Sequence, residues 1–192
     1  MKLVILDRDG VINQDLPRGV RTPDEWQPLP GALDAIARLN GAGYHIAVAT
    51  NQSGIERGLL DMAMLNAIHA RMLRAVQQAG GRIDVIHYCP HSAAAGCRCR
   101  KPQPGMLQDI GQRLGVALAD VPAIGDSLRD MQSASAAGAF PVLVRTGRGR
   151  ETEDAVELPP ETVVYDDLPK AVEAILAGPL RRVTRSDEAG PG

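Results

Sequence analysis

Three short polar phrases, each placed directly after an apolar run, hold most of the residues in this sequence that can do chemistry. The first is Asp7-Arg8-Asp9-Gly10, which follows Leu3, Val4, Ile5 and Leu6. Residues two apart on an extended backbone project to the same side, so Asp7 and Asp9 are aimed into one small volume. Two ionised carboxylates that close repel each other; such a pair shares a proton or recruits a cation, and Mg2+ suits carboxylate oxygens. The second phrase, Thr50-Asn51-Gln52-Ser53-Gly54, offers a hydroxyl and adjacent backbone N–H groups, the donors that hold phosphoryl oxygens. The third, Gly125-Asp126-Ser127-Leu128-Arg129-Asp130, again places acids at the end of an apolar run.

A fourth group is of a different kind. All three cysteines of the chain fall between positions 89 and 99, as Cys89-Pro90-His91 and Cys97-Arg98-Cys99. An odd number in so tight a cluster argues against a disulfide framework. Three thiolates and one imidazole are the ligand count of a closed tetrahedral zinc site, and a cluster of buried or redox-active thiols is the alternative. The zinc is expected to be structural, stiffening a loop rich in Ala and Gly that presents Arg100 and Lys101.

Regular elements must bring these groups together. Residues 3–6, 44–49, 83–88, 121–124 and 140–144 read as buried strands, and 163–165 as a short edge strand. Between them, 32–40, 59–79, 106–114 and 131–137 carry apolar residues at helical spacing, and 168–176 forms a last helix. This alternation predicts a three-layer, doubly wound, mostly parallel α/β sheet, with ligands at the carboxyl ends of its central strands where the winding reverses. The loop over 11–30 can overhang that edge, so Asp15, Pro17 and Arg18 are candidate substrate contacts, and Trp26 within it reads as a packing anchor. Arg145, Arg148 and Arg150 read as a mobile, solvated basic loop, and His69 as a surface or helix-packing residue.

The chain of 192 residues suits one domain over 1–177 followed by a flexible tail over 178–192. Hydrophobic residues at 44% and a net charge of -2 describe a soluble globular protein, with no basic excess to suggest nucleic acid or a membrane surface as partner. The first strand begins at once, leaving no room for a signal peptide, and no apolar run reaches transmembrane length; a cytoplasmic location is expected.

Taken in order, Asp-x-Asp-Gly-Val at 7–11, Thr50, Lys101 and Gly-Asp-x-x-x-Asp at 125–130 resemble the four motifs of the haloacid dehalogenase (HAD) superfamily, mostly phosphohydrolases that form an aspartyl-phosphate. The resemblance implies that Asp7 is the nucleophile and Asp9 the acid and base. It implies that Thr50 and Lys101 hold phosphoryl oxygens, and that Asp7, Asp126 and the backbone carbonyl of Asp9 bind Mg2+. Asp130 would support that cage or cap the next helix. The phrases Thr-Asn-Gln-Ser-Gly and Cys-Arg-Cys-Arg-Lys-Pro look more narrowly like the D-glycero-D-manno-heptose 1,7-bisphosphate 7-phosphatases, with the histidinol-phosphate phosphatases as the alternative. The implied substrate is a small phosphorylated sugar, met by Asp15, Arg18, Asn51, Gln52, Ser53, Arg100 and Ser127. Two departures stand out: the span between His91 and Cys97 is short, and Ser127 occupies a position where some heptose enzymes carry a lysine. No insertion is large enough for a separate cap domain, so an open site on a monomer is expected. A phosphoacceptor signalling module or a zinc-stabilised interaction domain would use some of the same residues. Asp9 weighs against the first, because an acid/base there favours hydrolysis over storage of the phosphoryl group.

Overall fold

Leu3, Val4, Ile5 and Leu6 are all buried, as an apolar run without polar alternation requires, and form the centre of the sheet as β1 (Lys2–Leu6). The computed structural model describes residues 1–180. The other strands are β2 (Tyr44–Asn51), β3 (Val85–Cys89), β4 (Pro122–Gly125), β5 (Phe140–Val144) and β6 (Val163–Tyr165). All are parallel, in the order β3-β2-β1-β4-β5-β6. The chain winds outward from β1 through β2 to β3, then crosses back to β4 on the far side of β1. The crevice between β1 and β4 is therefore the point where the winding reverses.

Period-two alternation divides each strand between two cores. Val4, Leu6, Ile46 and Val48 face one side, covered by α1 (Ala32–Gly41), α2 (Met62–Gln78) and α6 (Leu168–Ala177). Leu3, Ile5, Ala47 and Ala49 face the other, covered by α3 (Gly105–Leu114), with Ala134 of α4 (Leu128–Ala136) in the same cluster. These are the three layers expected. Trp26 is buried in the first core, as an anchor for the loop it interrupts.

Three elements start two or more residues away from the sequence reading. Helix α2 starts at Met62 because the Asp61 carboxylate accepts the Met64 N–H and caps it. Helix α4 starts at Leu128 because Ser127 and Asp130 form a capping box. Strand β3 begins at Val85, just after Asp84, whose side chain accepts the Ile46 N–H. One element was not foreseen: α5 (Gly149–Glu153) lies within the stretch read as a mobile basic loop. Arg145 is held there by Glu153 and Asp166, each at 2.7 Å, and is not a solvated rim residue. The tail expected over 178–192 falls mainly on 181–192, outside the described residues; Leu180 packs against the first core. Among the described residues, no helix is long and apolar enough to cross a membrane.

Candidate active site

Strand register brings the polar phrases together. Leu6 stands opposite Val48 of β2 and Ile124 of β4, so the residues following these three strands begin near one level. Asp7 continues β1 by donating its N–H to the Ile124 carbonyl at 2.8 Å. Lys101, nearly fully buried, places Nζ 2.9 Å from Asp7 Oδ1, 2.5 Å from Asp130 Oδ1 and 2.7 Å from the Ala49 carbonyl. Burial opposes its charge, yet Asp130 and Asp7 outweigh burial and raise its pKa further above the ordinary lysine value. Asp130 is buried too, but Lys101 and the Ser127 hydroxyl hold it below the usual carboxylate range. Burial pushes Asp7 up to about 7, with Lys101 opposing and the neighbouring Asp130 and Asp9 adding to the rise. Asp126 goes to about 8 through burial and the same crowd of acids.

Asp126 sits in a slot that only glycine leaves open. A Cβ at Gly10, where φ is +82°, would come 2.1 Å from Asp126 Oδ2, and one at Gly147, where φ is +56°, would come 2.0 Å from it. The Arg148 N–H donates to the same oxygen at 2.9 Å, the Thr152 hydroxyl donates to the Asp126 carbonyl, and the Thr146 hydroxyl donates to the Gly10 carbonyl. The stretch dismissed as a basic loop thus holds a central carboxylate. Arg148 also reaches Asp15 at 3.1 Å, tying it to the loop after β1.

Asp9 is not paired against Asp7 as the shared-proton alternative required. Its carboxylate is gripped by Arg8, its chain neighbour, with Nη2 at 2.9 and 3.0 Å and Nε at 3.1 Å from its oxygens. Asn13 Nδ2 adds a bond at 2.8 Å and Gln52 Nε2 one at 3.1 Å. Gln52 also donates to the Thr50 hydroxyl at 3.0 Å. Asn51 returns both halves of the Lys101 peptide: its Oδ1 accepts the Lys101 N–H and its Nδ2 donates to the Lys101 carbonyl, each at 3.1 Å. Both amides, read as substrate contacts, have structural bonds that hold the catalytic candidates in place.

All the substrate candidates, Asp15, Arg18, Asn51, Gln52, Ser53, Arg100 and Ser127, line one cavity of about 550 Å3, together with Asp7, Asp9, Thr50, Lys101 and Asp126. Ser127 spends its hydroxyl on Asp130 at 2.5 Å, and Arg100 donates to the His91 carbonyl at 3.0 Å. Arg21, Arg57, Arg129 and Arg148 also line this cavity. No motif marked Arg21 or Arg57; Arg129 stands inside the third phrase, which gave it no role.

Beside the cavity, the Sγ atoms of Cys89, Cys97 and Cys99 lie 3.4–3.7 Å apart, and His91 Nδ1 is 3.5 Å from Cys89 and 3.4 Å from Cys99. No pair is bonded as a disulfide. A tetrahedron with metal–sulfur bonds of about 2.3 Å has edges of roughly 3.8 Å, so the four donors fit around one ion. The knuckle is stitched to the second phrase: Gln52 N–H donates to the Cys89 carbonyl at 2.7 Å, and Ser92 N–H to the Glu56 carboxylate.

A doubly wound sheet with strand-end Asp7, Thr50 and Asp126, and Lys101 between them, defines the HAD class of hydrolases. Residues 98–171 match the HAD-hydrolase-like family and residues 2–124 the polynucleotide kinase 3 phosphatase family. The chain is 56% identical to the D-glycero-beta-D-manno-heptose-1,7-bisphosphate 7-phosphatase of Bordetella bronchiseptica, over 92% of this chain and 98% of the relative. It is 50% identical to the protein of that name from Pseudomonas aeruginosa, over 91% and 97%. The crystal structure of the B. bronchiseptica D,D-heptose 1,7-bisphosphate phosphatase complexed with magnesium and phosphate superposes with a TM-score of 0.90, covering 92% of this chain and 99% of that one. The structure of the Burkholderia thailandensis phosphatase, 48% identical, gives 0.75, covering 93% and 100%. The chain belongs to the D-glycero-β-D-manno-heptose-1,7-bisphosphate 7-phosphatase family.

Proposed function

We propose that this chain removes the 7-phosphate of D-glycero-D-manno-heptose 1,7-bisphosphate through an aspartyl-phosphate on Asp7. The observation that carries this reading is the convergence of Asp7, Asp9, Thr50 and Lys101 on one arginine-rimmed cavity. In the first step an Asp7 oxygen attacks phosphorus in line, the bond to the sugar oxygen breaks, and Asp9 gives that oxygen its proton. In the second, water attacks phosphorus, its proton passes to Asp9, and the Asp7–phosphorus bond breaks to release phosphate. Lys101 fixes Asp7 and offsets charge, while Thr50 and the N–H groups that follow hold phosphoryl oxygens.

The donors fit two different metals. One carboxylate oxygen from each of Asp7, Asp126 and Asp130 lies within 4.8 Å of the others, and burial together with the neighbouring acids raises the pKa of Asp7 and Asp126, a penalty on their charge that a hard cation relieves. Mg2+ held by Asp7, Asp126 and the Asp9 carbonyl would neutralise phosphoryl charge. The Cys89, His91, Cys97 and Cys99 set suits structural Zn2+.

Binding of Mg2+ must displace the protons that burial and crowding place on Asp7 and Asp126. Their raised pKa values also mean that the metal-free native state binds more protons than the unfolded chain between about pH 4 and 8. Its stability therefore falls as pH rises through that window, and Mg2+ restores it. The rise in Tm on adding Mg2+ is expected to be larger at pH 8 than at pH 6, read by differential scanning calorimetry with and without chelator.

Gly147→Ala tests the slot around Asp126. The added methyl would displace the carboxylate, and the Mg2+ concentration for half-maximal activity should rise by about tenfold or more, the cost of losing one well-placed oxygen ligand. An unchanged Mg2+ dependence would remove Gly147 from this role.

The substrate is decided by a side-by-side assay. Asp15 is paired with Arg148, leaving an arginine-rich rim that attracts a second phosphate and repels the cationic amine of histidinol phosphate. We expect kcat/KM at least about tenfold higher for the heptose bisphosphate, equivalent to roughly 1.4 kcal/mol of differential transition-state binding. Equal or better turnover of histidinol phosphate would overturn the sugar assignment and leave the phosphatase chemistry standing.

A further inference from the structure

One buried imidazole has no part in the steps above. His69 lies in the middle of α2, far in sequence from every motif, and is 7% exposed. Its Nε2 is 3.3 Å from Nη1 of Arg8, and its ring tilts against Tyr88 at 6.2 Å between centroids. Arg8 is itself fully buried, and its other donors, Nε and Nη2, go to the two oxygens of Asp9. A guanidinium has only hydrogens to offer, so Nε2 of His69 must be the acceptor and its proton must sit on Nδ1. Burial and the adjacent Arg8 charge hold the imidazole at about 4, which keeps it neutral and keeps that lone pair available.

We propose that His69 is a positioning residue for proton transfer: through Nε2 it fixes the Arg8 fork, and the fork fixes the Asp9 carboxylate in the cavity. A core imidazole needs only a partner for its own ring, and a backbone carbonyl would serve. Here the partner is a buried cation whose remaining donors all converge on the one acid that moves protons. Without the imidazole, a fully buried Nη1 loses its acceptor and the fork is free to rotate away from Asp9.

The inference rests on Asp9 acting as acid and base, and the test separates the two ideas by leaving group. A sugar phosphate needs a proton on its departing oxygen, whereas 2,4-dinitrophenyl phosphate expels a stable phenolate without one. Both substrates need Asp9 as base when water attacks the aspartyl-phosphate. His69→Leu, compared with the parent by rapid mixing, should slow sugar-phosphate turnover by about tenfold or more with KM little changed, a part of what positioned acid–base catalysis supplies. With the dinitrophenyl ester, the first turnover should stay near the parent rate and be followed by a slow phase, giving a burst equal to the enzyme concentration. His69→Gln, whose amide oxygen can accept from Arg8, should recover most of the sugar-phosphate rate.

A His69→Leu protein that slows both substrates equally without a burst, or slows neither, overturns the proposal. So does His69→Gln behaving like His69→Leu. If His69→Leu does not fold, Arg8→Lys gives the same reading, because it keeps the charge near Asp9 but has no fork to reach His69 as well; the leaving-group split is expected and its absence overturns the proposal. Failure of the parent protein to hydrolyse either ester would instead remove the phosphatase reading itself.

Discussion

Asp7→Asn is expected to give a folded protein with no measurable turnover. The amide is close in size to the carboxylate but supplies no nucleophilic oxygen, so the aspartyl-phosphate cannot form and the whole covalent route is lost. Losses on the order of ten-thousandfold or more are the scale for removing a nucleophile whose partners act as a unit. The fold should survive. Lys101 keeps Asp130 and the Ala49 carbonyl, and the variant loses a buried acid that sits uneasily among Asp126, Asp130 and Asp9. Without Mg2+ its Tm should therefore match or exceed that of the parent at pH 8. Phosphate release from a sugar phosphate and a mass shift for trapped phosphoenzyme are the measurements. Turnover above about one hundredth of the parent rate would remove Asp7 from its role.

Cys97→Ser should lower activity from outside the cavity. Cys97 and Cys99 precede Lys101 by four and two residues, and Cys89, His91 and Cys99 crowd the same small volume. Structural zinc–thiolate sites couple on the order of 10 kcal/mol of binding to local order, far more than the few hydrogen bonds that hold this loop. With the ion gone, the loop would loosen, and the Lys101 ammonium, buried between Asp7 and Asp130, would lose its registration. We expect one zinc per chain in the parent by metal analysis, less than stoichiometric zinc in the variant, cleavage within 92–100 by added protease, and activity reduced by about tenfold or more. A parent protein purified without chelator and free of zinc would overturn the assignment, as would a variant that keeps full activity after losing the ion.

Much of the site is legible in the sequence because strands advertise their ends. An unbroken apolar run followed by Asp7, by Thr50 or by Asp126 can be read from residue order alone, since burial on both faces needs apolar side chains and a strand's carboxyl end is where polar ones can return. The cysteine cluster was equally plain, because ligand type and proximity suffice to nominate it. Arg8 was in full view between the two acids and was passed over. In an extended chain it should point away from Asp7 and Asp9, but the chain turns as soon as β1 ends, with the Ile12 N–H donating to the Arg8 carbonyl, and the Arg8 fork reaches Asp9.

The sequence by itself determined the sheet, its two cores, the four polar clusters and their order, because period, apolar content and residue chemistry are local properties. Tertiary structure alone decided what each polar group spends its bonds on. Asn51 and Gln52 line the cavity, and within it Asn51 also pairs with the Lys101 backbone and Gln52 with Asp9 and Thr50. The basic stretch after β5 folded into α5 and closed over Asp126, because two distant glycines leave room for that carboxylate. His69 acquired a charged partner 61 residues away. Hydrogen bonds and ion pairs between distant segments depend on angles and on angstrom-scale distances, which no spacing along the chain encodes.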